Sequence, residues 1–231
     1  MLPLRDNVPT RTFPLVTVAL IAANTAAFLW ELRAPGLQAH VVEYGYYPCA
    51  PAGSCVGVAH LRELPWPESV FTSMFLHAGW AHLLGNMLFL WIFGNNVEDS
   101  LGKLRFLLWY VAGGVAATVV QTAVTLHYAG AAGESVPNIG ASGAIAAVLG
   151  AYFVLLPGAR VLTVIVILLR ELPAFLFLGA WFGFQLWEGG FGITHPQGGG
   201  GVAFFAHVGG FVFGALTVNL VKVRSPLRPR W

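Results

Sequence analysis

Charge is what this sequence has least of. Only 10% of its 231 residues are Asp, Glu, Lys or Arg, against about 25% in a soluble domain. The mean hydropathy of +0.71 excludes an ordinary soluble fold and points to an all-α chain that crosses a membrane several times. Acid is scarcest inside the apolar runs. The aspartates are Asp6 and Asp99, and neither sits mid-span, so a membrane protease built on two aspartates is excluded. No H-E-x-x-H occurs, which excludes the zinc-protease helix; no metal and no other cofactor are expected. The G-x-S-x-G elbow of soluble hydrolases is absent, because Ala144 follows Gly143. No basic face interleaved with aromatics suggests nucleic acid. Cysteine is limited to Cys49 and Cys55, in "PCAPAGSC", a spacing poor for zinc without two further ligands.

What the sequence has is long apolar runs. Six approach the length of a membrane span: about 14–31, 71–94, 105–127, 139–156, 172–188 and 202–221. Together they make one membrane domain over residues 1–231. The first run lacks a clear small-residue cleavage site and reads as a retained span. Segment 161–169, "VLTVIVILL", is too short to span and reads as interfacial or as an extension of the fifth run. With the N-terminus inside, ten basic residues fall on the inner side (Arg5, Arg11, Lys103, Arg105, Arg160, Arg170, Lys222, Arg224, Arg228, Arg230) and two, Arg33 and Arg62, outside. This positive-inside bias predicts both termini to be cytoplasmic. The compact six-span form suggests a bacterial-type plasma membrane. Cys49 and Cys55 then face the oxidising side, where a local disulfide is expected. The glycine-rich loop 189–201 is expected to be mobile.

Polar residues at membrane depth are costly and mark function. Spans two, four and six all run inward, and each carries its unusual polar groups in its first half: His77, His82 and Asn86; Ser142; His207. His82 and Asn86 share a helix face, whereas His77 lies roughly 140° away and reads as a structural partner near the surface. His60, His127 and His195 read as solvated. Gly143, Ala147 and Ala151 form a packing row that needs no chemistry. If folding joins Ser142 to His207, the imidazole can take the hydroxyl proton and make a nucleophile. His82, Asn86 and the backbone N–H of Ser142 can then donate hydrogen bonds to an oxyanion.

The stretches "HAGWAHLLGN" (His77–Asn86), "GASG" (Gly140–Gly143) and "AHVGGFVFG" (Ala206–Gly214), in this order and in matching spans, resemble the rhomboid family of intramembrane serine proteases. The resemblance implies a six-helix bundle that cuts transmembrane segments of other membrane proteins in the bilayer, with the active site open to the outside. It implies Ser142 as nucleophile, His207 as base, and Asn86 and His82 as oxyanion-hole side chains. Gly140 takes the G-x-S-G position, and Gly210 and Gly214 bring span six against span four. Glu98 falls where the family has a structural acid. One departure stands out: some members carry an aromatic four residues after the nucleophile, and here that residue is Ala146. What packs behind His207 is therefore open, and oligomeric state is not legible. Two rivals are weaker. An inactive helix-binding relative usually lacks the nucleophile or the base, and a transporter would show inverted repeats.

Overall fold

The computed structural model describes residues 1–34, 36–53, 55, 64–194 and 203–229. His60, Arg62, His195, Arg230 and most of the glycine-rich loop lie outside the described residues. The helices are α1 (Leu15–Glu31), α2 (Leu37–Tyr44), α3 (Trp66–Thr72), α4 (Trp80–Phe89), α5 (Asn95–Leu101), α6 (Lys103–Tyr128), α7 (Gly130–Glu134), α8 (Ser142–Leu155), α9 (Ala174–Thr194) and α10 (Phe204–Val221). A π turn, Leu90–Gly94, joins α4 to α5 as one rod. Five of the six expected spans each fall on one helix (α1, α6, α8, α9 and α10) with shifted limits, and the second falls across α3 and α4. By length and composition α6 and α10 can cross a membrane, and the bent unit Trp66–Leu101 is a third if taken as one span.

Three expectations are corrected. The second span does not begin at residue 71: the chain bends by 83° between Trp66–Phe75 and Trp80–Leu101, with Leu76 extended at the break. Hydropathy misses this bend because the residues around it are themselves apolar. The fifth span does not stop at residue 188. Gly189–Thr194 continues α9, with buried Gly189 against Phe204 and Phe205 of α10. Finally, the fold is mostly helical but not all-α. Segment 161–169 is not an extension of the fifth span; its β-branched residues form strands β2 (Arg160–Ile165) and β3 (Leu168–Pro173). They pair antiparallel, and β1 (Leu2–Asp6) pairs on the other side of β2.

Helix α8 is the axis of the bundle. Its residues Gly143–Tyr152 are all buried, with neighbours packed around the whole helix. Helix α10 lies against it at backbone distance. A Cβ on Gly210 would collide with the Gly143 carbonyl, one on Gly214 with the Ala147 carbonyl, and one on Gly150 with the Phe211 carbonyl. Helix α6 closes another side, with Ala117 over Gly143.

Polar clasps hold the end of the bundle that carries α5 and the starts of α1 and α6. Glu98 accepts hydrogen bonds from the Val16 N–H (3.1 Å), the Thr17 N–H (2.7 Å) and the Thr17 hydroxyl (2.8 Å). It thus caps α1, whose first amides have no partner within their own helix. Asp99 binds Arg11 at 2.8 Å and Arg224 at 3.2 Å, pinning both tails to α5. Asp6 accepts from the Tyr152 hydroxyl (2.6 Å) and the Asn96 amide (2.7 Å). Its burial pushes its pKa up to about 6. In the loop after α2, Cys49 and Cys55 are disulfide-bonded.

Candidate active site

Ser142 is the first residue of α8 and His207 lies in the first turns of α10. The α8–α10 clasp brings them together from 65 residues apart: Ser142 Oγ is 2.8 Å from His207 Nε2. The distance depends on Gly210, which sits one turn past His207 against the Gly143 carbonyl. On the other edge of the ring, Nδ1 is 2.7 Å from Gln185 Oε1 on α9. A carbonyl oxygen only accepts, so Nδ1 carries the proton and Nε2 presents its lone pair to the serine hydroxyl.

The group behind the imidazole is also on α9. The Trp181 ring lies 5.8 Å from the His207 ring, and Phe204 meets it edge-on at 6.5 Å. Ala146 is fully buried, and a neighbouring helix supplies the aromatic wall. Sequence reasoning missed Gln185 and Trp181. A glutamine inside the apolar run 172–188 was the available signal, since a buried amide in a membrane needs a partner.

His82 and Asn86 project from α4, one turn apart. His82 Nδ1 accepts the Ala78 N–H at 3.3 Å, which leaves Nε2 as the ring's donor. The Asn86 side-chain amide nitrogen is buried with no partner among the described residues. Both reach the backbone at Gly140: a Cβ there would stand 2.8 Å from His82 Nε2 and 3.7 Å from Asn86 Nδ2. Gly140 itself is held by its N–H on the Ser73 carbonyl at 2.8 Å, with φ +112, a conformation that favours glycine. Ser142, His207, His82, Asn86, Gln121 and Trp181 line one cavity of about 740 Å³.

His77 stands apart from this cavity. Its N–H donates to Glu31 Oε2 at 3.1 Å, and its ring meets His82 edge-on at 5.0 Å, so it backs His82 from behind. Gly143 and Gly214 act through the helix clasp described above. His127 is exposed. Among the described residues no group of three or more His, Cys, Asp or Glu is placed to hold a metal.

The arrangement contains a hydroxyl at a helix start hydrogen-bonded to an imidazole, side-chain N–H groups nearby and a cavity joining them. Such a set can perform acyl transfer. Residues 66–223 match the Rhomboid domain family. The chain is 28% identical to presenilin-associated rhomboid-like protein A, mitochondrial, of Danio rerio, over 92% of this chain and 50% of that protein. It is 31% identical to rhomboid protein 1, mitochondrial, of Saccharomyces cerevisiae, over 88% of this chain and 63% of that one. It is 37% identical to YdcA of Bacillus subtilis (strain 168), also named as a rhomboid, over 62% of each. The chain thus spans about half the length of the Danio relative. Two of these names carry a mitochondrial location, against the bacterial-type plasma membrane expected from the sequence; membrane embedding is the property that stands. On the family match and the order of its motif-bearing helices, the chain belongs to the rhomboid family.

Proposed function

We propose that this chain is a serine endopeptidase that cuts transmembrane segments of other membrane proteins with a Ser142–His207 dyad. The observation that carries the reading is the 2.8 Å contact between Ser142 Oγ and His207 Nε2 inside an apolar bundle. Helix packing alone gives no reason for a membrane serine to meet a histidine fixed on its far edge by Gln185.

In the proposed reaction, His207 Nε2 takes the Ser142 proton as Oγ attacks the scissile carbonyl carbon. The negative charge that develops on the carbonyl oxygen meets donors from Asn86 Nδ2, His82 Nε2 and the Ser142 backbone N–H. One such donor is worth about 3–4 kcal/mol of transition-state stabilisation. His207 then gives its proton to the leaving amine, and water, activated by the same imidazole, releases the acyl chain from Ser142. Gln185 keeps Nδ1 protonated throughout.

Helix α8 has 14 residues, about 21 Å at 1.5 Å per residue, against a hydrocarbon thickness of about 30 Å. Ser142 at its start is therefore set below the membrane surface. Under the positive-inside orientation that surface is the outer one, with both termini inside. A substrate helix keeps its carbonyls hydrogen-bonded, so it must unwind before Ser142 can reach one. Substrates with Gly or Pro near the scissile bond are favoured on that ground.

The test is cleavage of reporter transmembrane substrates by purified protein in lipid, comparing wild type with Ser142→Ala and His207→Ala. Both variants are expected to insert and fold but not to cut. Cleavage by Ser142→Ala at the wild-type rate overturns the reading, as does failure of the wild type on several unrelated reporters.

A further inference from the structure

We propose that the tip of the β2–β3 hairpin, with the start of β1 beside it, is seated among lipid acyl chains of the inner leaflet. Val166 and Ile167 join the two strands and are 90% and 87% exposed. Leu168, Leu169, Leu2 and Leu4 are exposed around them. The register puts Leu2 beside Val164 and Val164 beside Leu169. Two segments distant in sequence thus form one apolar surface at one end of the sheet.

The other end carries charge. Arg5 is opposite Leu162, Leu162 is opposite Glu171, and Arg170 is opposite Thr163. From the Arg170 row to the tip is about three residues, roughly 10 Å at about 3.3 Å per residue. That matches the roughly 5–10 Å by which interfacial elements lower an apolar face into a leaflet, with their charges left at the headgroups. A tip in water would reverse this arrangement, exposing its most apolar residues and holding its charges toward the hydrocarbon.

The direction in which the hairpin points follows from β1. Asp6 is bonded to Asn96, near the inner end of the α4–α5 rod, and β1 also packs on the Leu90–Gly94 turn and on α4. Residues of lower number on that rod lie farther from its inner end. β1 therefore climbs alongside a membrane helix from Asp6 toward Leu2, and the paired hairpin tip climbs with it.

The turn itself is poorly suited to water. Two-residue hairpin connections favour Gly, Asn or Asp at positive φ. Here Val166 has φ 58, a strained choice for a β-branched residue. Acyl chains offset that strain by taking up two nearly bare side chains. The open edges of β1 and β3 set a limit on depth, because unpaired backbone groups need headgroup or interfacial water. The hairpin is therefore a shallow anchor and not a crossing element.

This inference is independent of the protease reading. The chain has two cysteines, and they are bonded to each other, so Ile167→Cys in the full chain introduces the one reactive thiol. A nitroxide placed there, in phosphatidylcholine–phosphatidylglycerol vesicles, is probed by electron paramagnetic resonance. Dissolved oxygen is expected to relax it several-fold more than a water-soluble nickel chelate does. A nitroxide at Arg170→Cys is expected to show the reverse. Nickel dominating at position 167 places the tip in water and overturns the proposal. So does a label reached by neither relaxant whose spin–spin broadening fades on dilution with unlabelled chain, because a second copy then covers the tip.

Discussion

Gln185→Leu tests how the base is held. Gln185 is 5% exposed, and its Oε1 is 2.7 Å from His207 Nδ1. Leucine keeps much of the volume but removes the acceptor. With Nδ1 protonated, the variant leaves a buried N–H without a partner, at a cost of about 1–3 kcal/mol. The ring escapes that cost by moving its proton to Nε2, but an Nε2–H cannot accept the Ser142 proton. Either way the productive form is disfavoured by about that amount. At 1.36 kcal/mol per decade of rate, kcat should fall roughly 5- to 150-fold. KM should change little, because the Trp181 wall and the cavity lining remain. The assay is steady-state cleavage of a reporter substrate in lipid, run beside the rate at which a fluorophosphonate labels Ser142. Both rates should fall together. Gln185→Glu, which keeps an acceptor oxygen in the same place, should recover most of the loss. Wild-type kcat in Gln185→Leu would refute the reasoning and leave Gln185 a packing residue. A comparable loss in Gln185→Glu would show that α9 packing, not the acceptor, was disturbed.

Two further outcomes follow from the packing and the polar clasps around α5. Gly214→Ala puts a Cβ into the Ala147 carbonyl, and such overpacking costs about 1–3 kcal/mol or more. It should lower the thermal midpoint in detergent and reduce cleavage, whereas Gly183→Ala, where a Cβ meets nothing within 4 Å, should leave both near wild type. Asp6 has a folded-state pKa of about 6, above its ordinary 3.8 because of burial. The folded state therefore binds this proton more tightly than the unfolded one, and the contribution to stability is present below pH 4 and lost as pH rises through 6. Asp6→Asn should raise the thermal midpoint at pH 7.5 relative to wild type, with the gap shrinking toward pH 4.5; a gap independent of pH would contradict the assignment.

The sequence by itself determined the membrane character, the mostly helical build and the choice of Ser142 and His207 as the pair proposed to react. Scarce charge and long apolar runs leave few alternatives. A serine and histidines at matched depth are conspicuous because each is costly in lipid, so Ser142, His207, His82 and Asn86 could be selected before any contact was known. The small-residue rows through Gly143, Gly210 and Gly214 also signalled close approach, though not which carbonyls they would meet. Tertiary structure alone decided the rest. The 2.8 Å hydroxyl–imidazole contact depends on two helices packing at backbone distance, and no local pattern encodes the pairing of residues 65 apart. Gln185 and Trp181 were hidden in an apolar run because hydropathy averages over faces, and only the packed α9 shows which face meets His207. The sheet was hidden for a related reason. Residues 1–6 have no periodicity of their own, and they become a strand only because β2 offers an edge and the α4–α5 rod offers a wall.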